Sequence, residues 1–552
     1  MKLSQVKFSG PAFFGLLLAV MVLSAGGTVV VGDEETMFRL TQNLLTGHGL
    51  AVSQEEIHIP AQNHPGFLPI RVEILLTTSA IPGRDGQTYS KYGLGSSLAA
   101  IPLYLLGWAL DLRRGLAFPA ENARLAVSML NSLAWAACGW VMVIFSKELG
   151  YRTSTSRLLA LAALFSTFAW PYVKTFYPQP SVAFFLLLAV YCAFRWRRDG
   201  LKRHLWLVGV CCAGVILFRI SEVIILPALF AYLIFSVPPE RRWQWIVPVG
   251  AGIAFSLGVT AWYNWLRFGS LFTTGYDEIA WNTPFWFGLY GLLLSPGKSL
   301  LFYAPVLVLS LGAWRLFSRQ HRSESWLIAG LWLSFLVFYA PYKYWTGGWN
   351  WGPRFLLPVV PLVALPLGAF LEASRDSLLA DSSLPGAGFR SQGYSEKRAL
   401  LTWLFFAIFT SAGFFLQLPA ILVDHSRYLY QQVYETADSG AYTRTIVNPE
   451  YSPIFRQWPV AFEMIAAYRK PETWQAAQVS LVNMTRWVND EVQNALPLLE
   501  AEFYRRNTFG FWWLHNRYMD TQFPVSRLVL PWLALAFFSA GVLRWCDLSS
   551  VR

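Results

Sequence analysis

The stretch Gly10–Glu35, GPAFFGLLLAVMVLSAGGTVVVGDEE, passes from a long apolar run straight into three acids. About twenty apolar residues are enough for a helix to cross a bilayer. The run therefore predicts a first span over 11–31, behind Lys2 and Lys7. A cleaved leader has a similar look, but the length of this run and the acids that follow it at once favour an uncleaved helix. Runs of the same kind recur at 122–146, 157–173, 178–194, 205–219, 221–237, 243–265, 299–315, 325–341, 355–372, 399–421 and 527–543. Of the 552 residues, 55% are hydrophobic, 16% aromatic and only 14% charged, with 26 Trp. A soluble domain carries about 25% charged residues. So few charges cannot cover a water-facing surface, which excludes a cytosolic enzyme, a disordered chain and a secreted disulfide scaffold. Continuous apolar runs, rather than alternation, argue against a β-barrel. The expected fold class is an all-α polytopic membrane protein, a bundle of about twelve transmembrane helices with two large extracytoplasmic segments.

The net charge of +12 has a membrane reading and points to no nucleic-acid partner, because Lys and Arg hold short loops on the cytoplasmic side. With the N-terminus inside, the inner segments are 1–10, 147–157, 195–204, 238–245, 315–324, 373–398 and 544–552, and they hold 21 Lys and Arg in 84 residues. The outer segments 32–121 and 423–525 hold 15 in 193 residues. That contrast predicts a multi-pass protein of the cell (inner) membrane with both termini cytoplasmic. Residues 96–112 read as an amphipathic helix lying on the outer surface, since counting them as a span would put the basic stretch 195–204 outside. The expected organisation is a transmembrane module over 1–372 that includes the loop 32–121, a cytoplasmic linker over 373–398, and C-terminal helices over 399–552 around the segment 423–525. Cys138, Cys192, Cys211, Cys212 and Cys546 lie in or beside apolar spans without disulfide or zinc spacing, and read as packing residues.

The first outer segment carries the chemistry. Asp33, Glu34 and Glu35 start a stretch in which Met37, Leu40 and Leu44 repeat at helical spacing. Acids in a first turn can simply answer the helix dipole. Placed at the water–lipid boundary, a carboxylate can also deprotonate an acceptor hydroxyl or hold a divalent metal ion. Further on, "RDG" predicts a tight turn and "QTYSKY" a short extended piece. Lys91 and Tyr92 follow, just before the flat helix. A lysine there can snorkel, or bind a lipid phosphate as a point charge.

An acidic pair directly after the first helix, then the Lys91-Tyr92-Gly-x-Gly stretch and "IPLYLLG", resembles the GT-C superfamily of membrane glycosyltransferases, and within it the protein O-mannosyltransferase and aminoarabinose transferase group. The resemblance is best over 1–235, extends more weakly to 372, and does not reach the last outer segment. It implies an enzyme that moves a sugar from a polyprenyl-phosphate donor to a glycan, lipid or protein acceptor outside the membrane. By the resemblance, Asp33 matches the first-loop catalytic acid, Glu34 its acidic neighbour, and Lys91 a lysine that meets the lipid phosphate. Members often carry a second acid in the loop here reading "KTFYPQPSV". Gln179 stands in its place, which leaves a divalent-metal requirement open.

Such a reaction calls for outer-facing cations to hold the departing phosphate. Arg219 and Glu222 fall in one turn between spans and can equally pair with each other. Arg267 reads as an interfacial anchor. Lys298 follows Pro and Gly ahead of a helix start. Lys343 and Arg354 bracket "KYWTGGWNWGPR", where Trp345, Trp349 and Trp351 can form an interfacial belt or stack on a sugar or isoprenoid. Asp277 and Glu278 read as a solvated loop pair and His48 as a helix-end residue, while Glu56 and His58, near Glu55 and His64, would share a strand face where a metal pair is one option and not the favoured one. A lipid or solute transporter is the alternative function, and a non-catalytic assembly partner a third. Charges that sit at span ends argue against the transporter.

Overall fold

Long apolar runs satisfy their backbone hydrogen bonds internally by forming helices, and the computed structural model is mostly helical. It describes residues 2–29, 32–52, 80–112, 121–276, 280–378, 395–434, 440–468, 510–513 and 526–551. The order is α1 (Lys2–Leu23), α2 (Gly32–Thr46), the strands β1 (Ala80–Pro82) and β2 (Thr88–Ser90), α3 (Leu94–Leu112), α4 (Glu121–Ser128), α5 (Leu130–Glu148), α6 (Thr153–Phe165), α7 (Gln179–Asp199), α8 (Lys202–Phe218), α9 (Leu226–Phe235) and α10 (Ile246–Phe268). It continues through α11 (Phe285–Leu293), α12 (Leu300–Tyr303), α13 (Pro305–Gln320), α14 (Arg322–Tyr339), α15 (Val360–Leu378), α16 (Glu396–Leu422), α17 (Ser426–Tyr434), α18 (Ala441–Val447), α19 (Pro453–Tyr468) and α20 (Ser526–Val551).

Among the described residues, five helical stretches are long and apolar enough to cross a bilayer: Asn122–Glu148, Gln179–Asp199, Pro239–Phe268, Arg354–Leu378 and Glu396–Leu422. Shorter apolar helices occupy Gly10–Leu23, Leu94–Leu110, Thr153–Phe165, Ile220–Phe235 and Val529–Arg544. The twelve expected spans are therefore not all met by full-length helices. The expected span 11–31 shows why. Its helix stops at Leu23, and the chain from Ala25 to Val29 is no longer helical, with Gly27 at φ 74°. Hydropathy counts apolar residues and cannot see that the chain has already left the helix. The freed last-turn carbonyls are capped from far away: Trp512 and Trp513 donate their indole N–H groups to the Val22 and Leu23 carbonyls at 2.8 and 2.9 Å.

α15 forms the axis of the bundle, packed by α13, α16 and α6, and its apolar stretch is 94% buried. α10 and α16 lie at the periphery and leave Phe255, Trp262, Leu404, Phe405 and Ile408 exposed. Apolar surface on that scale suits lipid rather than water. The stretch 96–112, expected as a helix, lies within α3. It buries Ser97, Ala100 and Tyr104 and exposes Leu98, Leu105, Leu106 and Trp108.

Ionic groups gather at one end of the bundle. Arg152 bonds Glu372 and Asp376 at 2.9 and 2.7 Å, Arg197 bonds Glu324 at 2.5 Å, and Arg195 pairs with Glu148. These contacts bring together residues of the basic segments 147–157, 195–204, 315–324 and 373–398. The N-terminus of α7 and the C-termini of α8, α10 and α14 lie at the opposite end.

Two helices that frame that opposite end cross with their backbones touching. A Cβ on Gly252 of α10 would lie 2.1 Å from the Gly209 carbonyl oxygen of α8. Gly252→Leu should force α8 and α10 apart and cost about 1–3 kcal/mol. Thermal unfolding of the detergent-solubilised protein should register it as a lower midpoint.

Candidate functional site

The acids at the start of α2 fan out at about 100° per residue, so three neighbours face three ways. Asp33 faces a cavity. Glu34 is buried and does not line it. Glu35 turns to Arg124 of α4 and to Arg39, which reaches it at 2.7 Å. Burial opposes the Glu35 charge, but Arg124 and then Arg39 outweigh burial and hold the carboxyl below its ordinary range. Arg124 also rests on the Phe38 ring at 4.3 Å. The sequence reading missed this buried clamp, whose signal was an arginine at the start of an apolar run.

Lys91 arrives from the hairpin. β1 and β2 pair antiparallel with Ala80 opposite Ser90, and Gly86 makes the turn at φ 79°. Asp85 accepts hydrogen bonds from the Gln87 N–H and the Tyr89 hydroxyl. Arg267, at the end of α10, donates to the Ser90 carbonyl and to Asn264 Oδ1. It is therefore a buried tie and not the interfacial anchor expected, although it also lines the cavity. The two glycines after Lys91 have a packing reason. A Cβ on Gly93 or Gly95 would lie 2.5 Å from the Leu217 carbonyl oxygen or the Phe218 nitrogen. The start of α3 thus abuts the end of α8 and sets Lys91 beside the segment that carries Arg219.

The cavity enclosed here has a volume of about 520 Å³. Asp33, Lys91, Tyr92, Arg219, Arg267 and Arg354 all line it. Lys91 Nζ lies 3.6 Å from Asp33 Oδ1 and 5.3 Å from the centre of the Tyr92 ring. Burial first, and then the charge of Asp33, raise the Tyr92 phenol well above its usual range, and its hydroxyl hydrogen-bonds that carboxylate. Burial likewise raises Tyr276, whose ring meets Tyr92 edge-on. Both phenols are therefore neutral hydrogen-bond donors. Leu94, Ile216, Val259 and Phe338 supply an apolar wall.

Arg219 makes both of the contacts open to it. It pairs with Glu222 at 3.3 Å and still lines the cavity, with its guanidinium over Phe355 at 4.6 Å. Arg354 lies over Tyr177 at 4.5 Å, and no described residue hydrogen-bonds its buried Nε. It is held by ring faces and keeps hydrogen-bonding capacity for an anion.

Lys298 corrects the expectation. It does not line the cavity. Its ammonium donates to the Gly348 carbonyl at 2.8 Å and to that of Asn350, fastening the loop that leads to Arg354. Burial, and then the charge of Arg354, push it down to about 7. Tyr442 of α18 bonds the same Gly348 carbonyl at 2.8 Å, so a helix late in the chain also grips this loop. The tryptophans beside it pack inward. Trp351 donates to Gln417 at 2.7 Å and Trp345 covers Gly291. Neither these nor Trp349 lines the cavity, and Lys343 is exposed outside it. His48 closes α2 after Gly47, as its position suggested. Glu55, Glu56, His58, His64, Asp277 and Glu278 lie outside the described residues.

A divalent cation needs several oxygen ligands at once. Among the described residues, no three His, Cys, Asp or Glu come together. Among the described lining residues the one carboxylate is Asp33, and the Lys91 ammonium already lies beside it. The arrangement suits an anion with an apolar extension and a hydroxyl to be deprotonated. No protein-family profile matches this sequence, and no curated protein matches it.

Removal of one partner from a buried ion pair costs about 3–5 kcal/mol. Glu35→Gln should therefore lower the thermal midpoint at neutral pH. The folded-state value of Glu35 is depressed, so its contribution is complete above the ordinary value of 4.5 and fades as pH falls through the folded value. Wild type and variant should converge in acid, as melting curves at stepped pH would record.

Proposed function

We propose that this protein is a glycosyltransferase that moves a sugar from a polyprenyl-phosphate donor to an acceptor hydroxyl on a glycan, lipid or protein. The observation that carries this reading is the Asp33 carboxylate 3.6 Å from the Lys91 ammonium on the wall of a cavity that Arg219 and Arg354 also line. In this reading the cavity faces the extracytoplasmic side of the cell membrane. Both termini and the basic end of the bundle face the cytoplasm, in accord with the excess of Lys and Arg there.

The chemistry follows from the charges. The acceptor oxygen attacks the anomeric carbon. The bond from that carbon to the phosphate oxygen breaks, and the phosphate keeps the electron pair. Lys91, Arg354 and Arg219 stabilise the negative charge that develops on it. Asp33 takes the hydroxyl proton. The incoming phosphate draws Lys91 toward itself and loosens its hold on Asp33, so donor binding readies the base. A single displacement of this kind inverts the anomeric centre. The isoprenoid lies along the apolar wall of Ile216, Val259 and Phe338.

Asp33→Asn in proteoliposomes supplied with lipid-linked sugars should lower transfer by about 10²–10⁴-fold and leave binding of a polyprenyl phosphate in place. Mass spectrometry of donor and product reads the outcome. Undiminished transfer by the variant would remove Asp33 as the base. Translocation of intact donor without any covalent change would point to a transporter.

A further inference from the structure

Gln179 is the first residue of α7, held between Pro178 and Pro180. It lines the cavity and is 2% exposed. Its Oε1 is buried and accepts no hydrogen bond from any described residue. Buried amide oxygens are rarely left in that state, because leaving one unpaired is costly. The flanking prolines fix the backbone, so the amide cannot easily withdraw. Two residues earlier, Tyr177 supplies the ring beneath Arg354. The amide and the ring that carries this cation thus lie on one short stretch of chain, Tyr177–Gln179.

We propose that Gln179 is a specificity-determining residue that binds a hydroxyl of the sugar whose phosphate rests at Arg354. This rests on the donor reading above and adds the contact that distinguishes a glycosylated lipid from a bare one. The chemistry of the amide selects the ligand group. Its Oε1 needs a donor. An ionised phosphate oxygen only accepts, and an isoprenoid methyl does neither. A hydroxyl donates to Oε1 and accepts from Nε2, and the soft terminal torsion of glutamine lets either atom turn to meet it. Neutrality matters as well, since an acid at this position would compete with phosphate for Arg354.

The test uses the full-length protein in nanodiscs and two kinds of probe. One is a polyprenyl phosphate. The other is the same lipid phosphate carrying glucose, mannose, galactose or arabinose. Wild type should bind at least one glycosylated lipid about tenfold tighter than the bare one, the worth of one hydrogen bond. Gln179→Leu should erase that advantage and leave the affinity for bare lipid phosphate unchanged. If Leu prevents folding, Gln179→Asn, which shortens the reach of the amide, should reduce the same preference. Retention of the preference, or parallel loss of both affinities, would overturn the assignment. Equal affinities of wild type for all probes would also overturn it. If Arg354→Gln then still abolished bare-lipid binding, the donor reading would stand. If wild type bound no lipid phosphate at all, the donor reading would fail too.

Discussion

The start of α3 can touch the end of α8 only because Gly93 and Gly95 lack side chains, and the candidate site depends on that contact. Either Cβ would come within 2.5 Å of the Leu217–Phe218 backbone. Atoms cannot share that space, so any larger residue would move Lys91 away from the end of α8. Arg267 completes the constraint by tying the Ser90 carbonyl to α10. Lys91, Asp33 and Arg219 then meet on one cavity wall although they belong to three separate parts of the chain.

Charge within an apolar bundle is costly unless it is answered, and the two ends of this bundle answer it differently. At the basic end, Arg152, Arg195 and Arg197 each find a carboxylate. At the cavity end the balance is tilted, with four cations and one acid among the described residues of the wall. Arg219 is answered in part by Glu222, and Arg354 is steadied by aromatic faces. Ring faces attract a cation without using up its hydrogen bonds. An anion entering the cavity therefore meets donors that the fold has not already spent. Lys298 illustrates the other use of a buried cation, which is to hold backbone carbonyls and so fix the loop before Arg354.

Much of this was legible in the residues. Helices α5, α7, α10, α15 and α16 announced themselves by apolar length, and the hairpin by the turn "RDG" and the extended piece after it. Asp33, Lys91 and Arg354 were singled out because charges beside membrane spans are conspicuous. Glu34 and Lys298 show the limit of that logic. Proximity in sequence placed Glu34 with Asp33, but one step along a helix turns a side chain by about 100°, and Glu34 does not line the cavity. Lys298 had the right neighbours for an anion site, yet its ammonium is spent on the Gly348 and Asn350 carbonyls. The tryptophans of 345–351 read as a belt because composition does not record which way a ring points.

By itself, the sequence determined that this chain is helical and suited to a bilayer, because a low charge content and long apolar runs constrain the backbone whatever the packing. It also determined where charges cluster along the chain. Only the tertiary structure decided which of those charges share a cavity. That choice depends on helix rotation and on close backbone approach, which are set by contacts between residues far apart in the chain. Gln179 is the clearest case, since nothing in its local sequence reveals a buried amide oxygen that no described residue hydrogen-bonds.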